Sequence, residues 1–270
     1  MPEVCDRLGL ARGTLLVAGA FDQTAAAYGA GATAGGACVL SCGTAWVLYA
    51  VADHPPVAGD SAPWALCACC HARPDAWGLV LPFTGGSAYD WVTRTVVAGS
   101  EPSDASPLIF VPHLYGGLSP DWQEQSKGSL LGLTLSHTAE DIRLALMRGL
   151  AFETRRNIEA AGPYAGRPAS LLMVGGATHS DIWPQIIADV TDLRVEVPAL
   201  TEAACYGAAM LAAGHGSAEP PDWPPEKLGA VQAFEPARDS AMDLQYEAYM
   251  GAYAWLTRHY RGESAPTPAR

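Results

Sequence analysis

The sequence has little positive charge. Only 16 of its 270 residues are Lys or Arg, against 28 Asp or Glu, and the formal net charge is −12. Non-specific binding to nucleic acid requires a basic face, so this balance disfavours that class of partner. No stretch approaches the roughly 18 consecutive apolar residues that a membrane span requires. We therefore expect a globular cytoplasmic protein with neither a nucleic acid nor a membrane as partner.

A cysteine framework is also absent. The seven cysteines are odd in number and irregular in spacing, and residues 1–13 carry no apolar segment of a secretory signal. Reduced thiols in the cytoplasm are the simplest interpretation. The cluster "CACCH" at residues 67–71 has no second Cys or His pair at metal-ligand spacing, so we expect no metal site there. The alternation in "WALCACCHA" instead predicts a strand with small thiols on its buried face.

No phosphate-binding loop of the G-K-[ST] type occurs, so any nucleotide site must be built in another way. The stretch "LLVAGAFDQTAAAYGAGAT", residues 15–33, offers a different feature. Its apolar start predicts a strand at residues 15–18, followed by a turn, one acid, Asp22, and a short helix of small residues. Asp22 has two interpretations at this point: a cap of the helix, or a functional carboxylate at the end of a strand.

Strands and helices alternate along the rest of the chain, which predicts a layered α/β fold. The segment "ACVLSCGTAWVLYAV" is a predicted hairpin hinged at Gly43 and Thr44. The segments "WALCACCHA" and "AWGLVLPF" form a further predicted strand pair. The longest helical pattern starts at a predicted N-cap, Ser136, and ends at Gly162-Pro163. Residues 216–240 are a predicted linker before a final amphipathic helix.

Two glycine pairs, Gly85-Gly86 and Gly175-Gly176, each precede a predicted helix. A helix N-terminus presents unpaired amides and a partial positive charge, which suits a phosphate group. Each pair taken alone is equally well explained as a tight turn or a close helix–strand contact.

Taken in order, several segments resemble the carboxyl half of the FGGY family of carbohydrate kinases, in particular its xylulokinase-like branch. They are "GAFDQTAAAYGAG", "SCGTAWVL", "HARPDAWGLVLPFTGGSAYDW", "GLTLSHTAEDIRLALMRGLAFETRRNIEA" and "VGGATHSDIWPQIIADVTDLRVEVPALTEAACYGAAMLAAGHG". The last of these resembles the long C-terminal signature of the family. The resemblance covers about residues 2–260 and implies an actin-like ATPase fold, related to ribonuclease H, with a mixed sheet flanked by helices.

The resemblance also implies roles for individual residues. Asp22 would be the catalytic base that takes the proton from a sugar hydroxyl, and Asp22 and Gln23 would contact the substrate. The nucleotide would be ATP, with Mg²⁺ to neutralise charge on the moving phosphoryl group. The residues expected to bind this cofactor are Gly43, Thr44, Gly86, Asp90, Gly175, Gly176 and Ser180.

Family members are about twice as long, and the D-x-G-T hairpin expected of their first domain is absent from this sequence. The expected division is therefore a remnant of the first domain at 1–33, the second domain at 34–215, and a linker with a C-terminal helix at 216–270. Three hypotheses follow: half of a split kinase, a truncated kinase, or a non-catalytic nucleotide-binding or interaction module. Expected partners are a sugar or polyol, with a ketose such as xylulose favoured, and a separate N-terminal half or a second copy of the chain.

Overall fold

Strands and helices alternate in the computed structural model, which describes residues 2–56, 67–96, 107–200, 202–214, 231–237 and 239–263. The helices are α1 (Pro2–Leu8), α2 (Asp22–Gly29), α3 (Gly86–Thr95), α4 (Ala139–Ala165), α5 (Ile182–Thr191), α6 (Ala203–Ala213) and α7 (Ser240–Tyr260). The strands are β1 (Cys38–Cys42), β2 (Ala45–Ala52), β3 (Cys67–Cys70), β4 (Trp77–Thr84), β5 (Ile109–Val111), β6 (Ser129–Leu131), β7 (Ser170–Gly175), β8 (Arg194–Pro198) and β9 (Val231–Phe234). A short 3-10 helix, Gly176–His179, follows β7.

The main sheet is mixed, with strand order β3-β4-β2-β1-β7-β8-β9. Strands β1, β7 and β8 are parallel to one another, and β2 pairs antiparallel with both β1 and β4. The predicted hairpin across Gly43-Thr44 is thereby confirmed, as is the predicted pairing of β3 with β4. The parallel centre brings the carboxyl ends of β1 and β7 to the same edge of the sheet.

Alternation of side chains divides the sheet into two buried faces, as a period of two residues requires. On β2, Trp46 and Leu48 pack in the larger core with α4, α5 and α7. Val47 and Tyr49 face the opposite side and pack in a smaller core with α2 and α6. The sheet is therefore covered by helices on both faces, and the acid-bearing helix α2 lies on the smaller side.

Helices α2 and α6 cross with their backbones in contact. A Cβ atom on Gly29 would lie 1.9 Å from the carbonyl oxygen of Ala203, and one on Gly207 would lie 1.9 Å from that of Ala25. Real Cβ atoms do not approach other heavy atoms so closely, so both positions require glycine. This contact fixes the distance between α2 and α6, and with it the position of Asp22 at the start of α2.

A buried charge cluster ties α7 to α4. The Glu153 carboxylate accepts hydrogen bonds from Arg156, 2.9 Å away, and from the Tyr249 hydroxyl, while His113 Nε2 lies 3.4 Å from it. The Arg156 guanidinium lies over the Tyr253 ring, 3.9 Å from its centroid. Burial raises the pKa of Glu153, but Arg156 and His113 outweigh it and hold that pKa below its ordinary value of 4.5.

The predicted strand at residues 15–18 is wrong. These residues have no regular secondary structure, and Leu15 and Leu16 are 70% and 83% exposed. A strand is completed by hydrogen bonds to a neighbour, and no described strand pairs with this segment. The linker prediction for 216–240 is also wrong at Val231–Phe234, which forms β9 beside β8; residues 215–230 and 238 lie outside the described residues.

Both predicted ends of the longest helix are displaced. The N-cap of α4 is Thr138, not Ser136, because Thr138 and Asp141 form a reciprocal capping box. The helix also continues through Pro163 to Ala165. Gly162 lacks the Cβ atom that normally disfavours helical conformation before proline, so the helix can pass this point.

The thiols of β3 are not buried. Cys67 and Cys70 are exposed and Cys69 is half-buried, because β3 is an edge strand that the described helices leave largely uncovered. No helix in the described part of the chain combines the length and apolarity needed to cross a bilayer.

Replacing Gly207 by Ala should push α2 away from α6. We expect overpacking of this kind to lower the free energy of unfolding by about 1–3 kcal/mol. Gly251→Ala is the matched control, since Gly251 lies in the interior of α7 with no atom within 4 Å of the added methyl group. Chemical denaturation should show the control unchanged or stabilised by up to ~1 kcal/mol, and equal behaviour of the two variants would contradict the crossing.

Replacing Glu153 by Gln should leave the buried Arg156 with only the partly exposed Asp121, 3.4 Å away, as its counter-ion. We expect a loss of about 3–5 kcal/mol at neutral pH. Because the folded-state pKa of Glu153 is depressed, its stabilisation is present above pH 4.5 and is lost as the pH falls further. The difference between wild type and variant in urea unfolding should therefore shrink from pH 7 to pH 3. Glu159→Gln, with a half-exposed side chain, is the control and should cost at most ~1 kcal/mol.

Candidate functional site

The site begins where two parallel strands end side by side. Cys42, the last residue of β1, is the register partner of Gly175, the last residue of β7. The turn at Gly43-Thr44 follows the first strand, and the turn at Gly175-Gly176 follows the second. The two turns, 132 residues apart in sequence, are therefore neighbours at one edge of the sheet.

Gly175 and Gly176 play different parts in this arrangement. Gly175 has φ +99°, and a Cβ atom there would lie 2.7 Å from the carbonyl oxygen of Cys42. Glycine is thus required at position 175 by the backbone conformation and by the close approach of β1. At Gly176 the nearest atom to an added Cβ would be the same oxygen at 3.9 Å, so a side chain there would project into open space.

Helix α3 starts against the hairpin turn. The amide of Gly86 donates to the carbonyl oxygen of Gly43 at 3.2 Å, and the amide of Ser87 donates to that of Thr44 at 2.9 Å. A Cβ atom on Gly86 would lie 2.5 Å from the Gly43 oxygen. The expectation that this helix N-terminus presents free amides is therefore wrong for Gly86 and Ser87, whose amides hold the turn instead.

These three turns surround a cleft of about 440 Å³. It is lined by six of the seven residues that the sequence assigned to nucleotide binding, namely Gly43, Thr44, Gly86, Asp90, Gly176 and Ser180. Gly175 is absent from the lining and contributes through the turn geometry alone. The segments that bring these residues together span 138 positions of the chain.

The remaining wall of the cleft is aromatic and cationic, and sequence reasoning missed it. Tyr89 meets the ring of Trp183 edge to face at 5.2 Å between centroids. Arg143 donates to the Tyr89 hydroxyl at 3.1 Å and from Nε to Glu140 at 2.7 Å, which fixes its guanidinium at the cleft. Arg143 lies on α4 among ordinary polar helix positions, so no spacing in the sequence distinguishes it. Met147 completes this side.

Asp22 is the first residue of α2 and is exposed to solvent. The N-cap position itself is Phe21, so Asp22 is not the helix cap in the strict sense, although its Oδ1 accepts the amide of Gln23 at 2.8 Å. One carboxylate oxygen thus orients the group on the helix. Within the described residues the other oxygen, Oδ2, makes no hydrogen bond and is available to a ligand.

Asp22 and Gln23 open onto a second cavity of about 640 Å³, beside the cleft. Gly176 and His179, in the 3-10 helix after β7, line both spaces. Asp22 and the glycine-lined cleft therefore lie on two sides of one turn. Such an arrangement can hold a phosphate chain on one side and a hydroxyl acceptor on the other, with a carboxylate near the acceptor.

A family comparison agrees with this geometry. Residues 41–215 match the model of the "FGGY family of carbohydrate kinases, C-terminal domain". The chain belongs to the FGGY family. Its FGGY segment holds every lining residue of the cleft, and Asp22 and Gln23 lie shortly before it.

Individual relatives of this FGGY chain are sugar kinases. The xylulose kinase of Escherichia coli (strain K12) is 28% identical over 207 residues, covering 73% of this chain and 42% of the relative. The gluconokinase of Bacillus subtilis (strain 168) is 25% identical over 282 residues, covering 95% of this chain and 54% of the relative. The chain therefore spans about half the length of the curated relatives that it matches.

A solved structure, "a xyloylose kinase from Brucella ovis", superposes with a TM-score of 0.82 at 26% identity, covering 95% of this chain and 55% of that one. The expected fold class, an actin-like and ribonuclease H-like domain with a mixed sheet flanked by helices, is confirmed. The chain corresponds to the C-terminal half of the FGGY carbohydrate kinases that it matches.

Proposed function

We propose that the chain is the nucleotide-binding and base-bearing part of an ATP-dependent carbohydrate kinase, which transfers a phosphoryl group to a hydroxyl of a sugar or polyol. The observation that carries this proposal is the shared turn. Gly176 and His179 border both the cleft of the glycine turns and the cavity of Asp22. A donor phosphate in one space and an acceptor hydroxyl in the other could meet at this shared turn. A ketose such as xylulose is the favoured substrate.

In this proposal the cleft binds the nucleotide by close backbone approach. Gly43 and Gly176 leave room for phosphate oxygens, and the Thr44 hydroxyl can donate to one of them. Ser180 and Arg143 offer further donors along the same wall. Arginine is suited to phosphate or to the face of a base, because its guanidinium is planar and always charged.

The cleft fits a magnesium–nucleotide complex rather than a resident metal. Among the described residues, no group of three His, Cys, Asp or Glu side chains is placed to hold a metal ion. Magnesium commonly uses one or two carboxylates together with substrate phosphates, and Asp90 provides one carboxylate in the lining. When bound, the ion would neutralise charge on the transferred group.

Asp22 is proposed as the general base. Its carboxylate would accept the proton of the attacking hydroxyl while Gln23, the next residue, hydrogen-bonds to the sugar. The rigid contact of α2 with α6 supports this role, because a base must be held within hydrogen-bond distance of the proton.

The first half of the kinase fold is a proposed partner, whether it belongs to the same polypeptide or to another one. Three exposed apolar side chains support it: Leu15, Leu16 and Phe21 are 70%, 83% and 55% exposed. No described strand pairs with residues 15–18. An apolar segment of this kind is typical of a surface that another part of the protein covers. The second candidate is a nucleotide-binding module without transfer activity, which would use the cleft and leave Asp22 idle.

Gly176→Val should block nucleotide binding without harming the fold. The added side chain would project into the cleft, where its nearest protein atom is 3.9 Å from the Cβ. We expect ADP affinity of the chain, measured by calorimetry, to fall at least ~10-fold, about 1.4 kcal/mol. Gly13→Val, also in open space but far along the chain, is the control. If Gly176→Val left both the thermal midpoint and the ADP affinity unchanged, the proposal that ADP binds in this cleft would be wrong.

Asp22→Asn should separate the two candidate functions. With the first half supplied, wild type should phosphorylate a member of a ketose and polyol panel. The variant should lose about 10²- to 10⁴-fold in rate while keeping its ADP affinity. Asp75→Asn is the matched control, since Asp75 is exposed and its φ of +55° suits Asn. Retained transfer in Asp22→Asn would exclude this base, and ADP binding without any transfer in wild type would favour the module.

A further inference from the structure

The guanidinium of Arg143, on the α4 wall of the cleft, has most of its hydrogen-bonding edge occupied by protein groups. Its Nε and Nη2 atoms donate to the two carboxylate oxygens of Glu140, with Nε 2.7 Å from Oε2. Its Nη1 atom donates to the Tyr89 hydroxyl at 3.1 Å and lies 3.5 Å from the sulfur of Met147. An arginine side chain has five N–H groups. These contacts engage four of them and leave one, on Nη2.

The pairing with Glu140 also neutralises the charge of Arg143. The two side chains form a two-point ion pair and are only 24% and 18% exposed. The hydrogen bonds to Glu140 raise the pKa of Arg143 above its ordinary value, so the pair stays ionised near neutral pH. A carboxylate in contact with the guanidinium repels the negative charge of a phosphate. Arg143 is therefore a poor ligand for the phosphate chain, although it lines the cleft.

Arg143 can still offer the flat face of its guanidinium. The two-point contact with Glu140 fixes the plane of the group, because both donors lie in that plane. Two other side chains of this wall are packed into the core, since Trp183 is 5% and Met147 1% exposed. Tyr89 is half-buried and is held edge to face against Trp183. Arg143 and Tyr89, joined by their hydrogen bond, thus form the accessible platform on this side of the cleft.

We propose that Arg143 stacks on the base of the nucleotide, with Tyr89 beside it, and positions that base rather than the phosphates. This inference rests on the proposed function, since it requires a nucleotide in the cleft. A guanidinium binds the face of an aromatic ring favourably. Such a contact uses none of the N–H groups that Glu140 and Tyr89 occupy. Because a purine has a larger face than a pyrimidine, the same contact favours purine nucleotides.

Arg143→Lys tests the proposal, because lysine keeps the positive charge but has no flat face. We expect the ADP affinity of the 270-residue chain, measured by calorimetry with Mg²⁺ present, to fall about tenfold. The affinity for inorganic pyrophosphate should change by less than about twofold, since pyrophosphate has no base to stack. UDP should bind the wild-type chain more weakly than ADP, and the substitution should narrow this difference.

Two further variants separate stacking from a general effect on the helix. Arg155→Lys is the matched control, because Arg155 also lies on α4, pairs with Glu159 at 3.1 Å, and lines a different cavity. It should leave the affinities for ADP and pyrophosphate unchanged. Tyr89→Phe keeps the ring but removes the hydroxyl to which Arg143 donates. We expect it to lower ADP affinity about two- to threefold with pyrophosphate affinity unchanged. Thermal midpoints report whether each variant is folded.

The outcomes distinguish this inference from the proposed function. A wild-type chain that binds neither ADP nor pyrophosphate would overturn both. If the wild-type chain binds ADP and Arg143→Lys binds it equally well, only the stacking contact is wrong. If Arg143→Lys loses affinity for ADP and pyrophosphate in the same proportion, Arg143 binds the phosphates, and the inference is again overturned while the nucleotide site stands.

Discussion

The register of one parallel strand pair determines the site. Because Cys42 lies opposite Gly175, the turns after β1 and β7 leave the sheet together. The approach is close enough that a Cβ atom at Gly175 would lie 2.7 Å from the Cys42 carbonyl oxygen. A shift of this register by one residue would reverse the faces of β7 and separate the turns. The cleft of Gly43, Thr44 and Gly176 thus follows from backbone packing rather than from side-chain contacts.

The two faces of the sheet then supply different parts of the chemistry. The larger face carries α3, α4 and α5, which contribute Tyr89, Arg143 and Trp183 to the cleft. The smaller face carries α2 and α6, whose glycine contact holds Asp22. The turn at Gly176 lies between the two faces and borders both cavities. Asp22 and the glycine-lined cleft are therefore placed side by side by helices on opposite faces of the sheet.

Local chemistry explains which parts of this arrangement could be predicted from the sequence. The turn at Gly175-Gly176 is predictable because Gly175 has φ +99°, a conformation that favours glycine. The hairpin at Gly43-Thr44 is predictable because it separates two apolar runs. The predicted N-cap of α4, Ser136, differs from the observed one, Thr138. Thr138 caps the helix because it exchanges hydrogen bonds with Asp141, and the identity of the capping residue alone does not predict this pair. The sequence does not predict that Arg143 lines the cleft, because its position there depends on a hydrogen bond to Tyr89, 54 residues away.

The strand expected at residues 15–18 failed for a related reason that bears on function. An apolar run favours the extended conformation, but a strand forms only when a neighbouring strand supplies its hydrogen bonds. No described strand pairs with this segment, and Leu15 and Leu16 are exposed to water. Asp22 lies four residues after this segment and is also exposed. A carboxylate is a more effective base for a hydroxyl when water is excluded and the acceptor is held in place. A surface that paired with this segment would therefore also enclose Asp22, so under the proposed function completion of the fold and completion of the active site would be the same event.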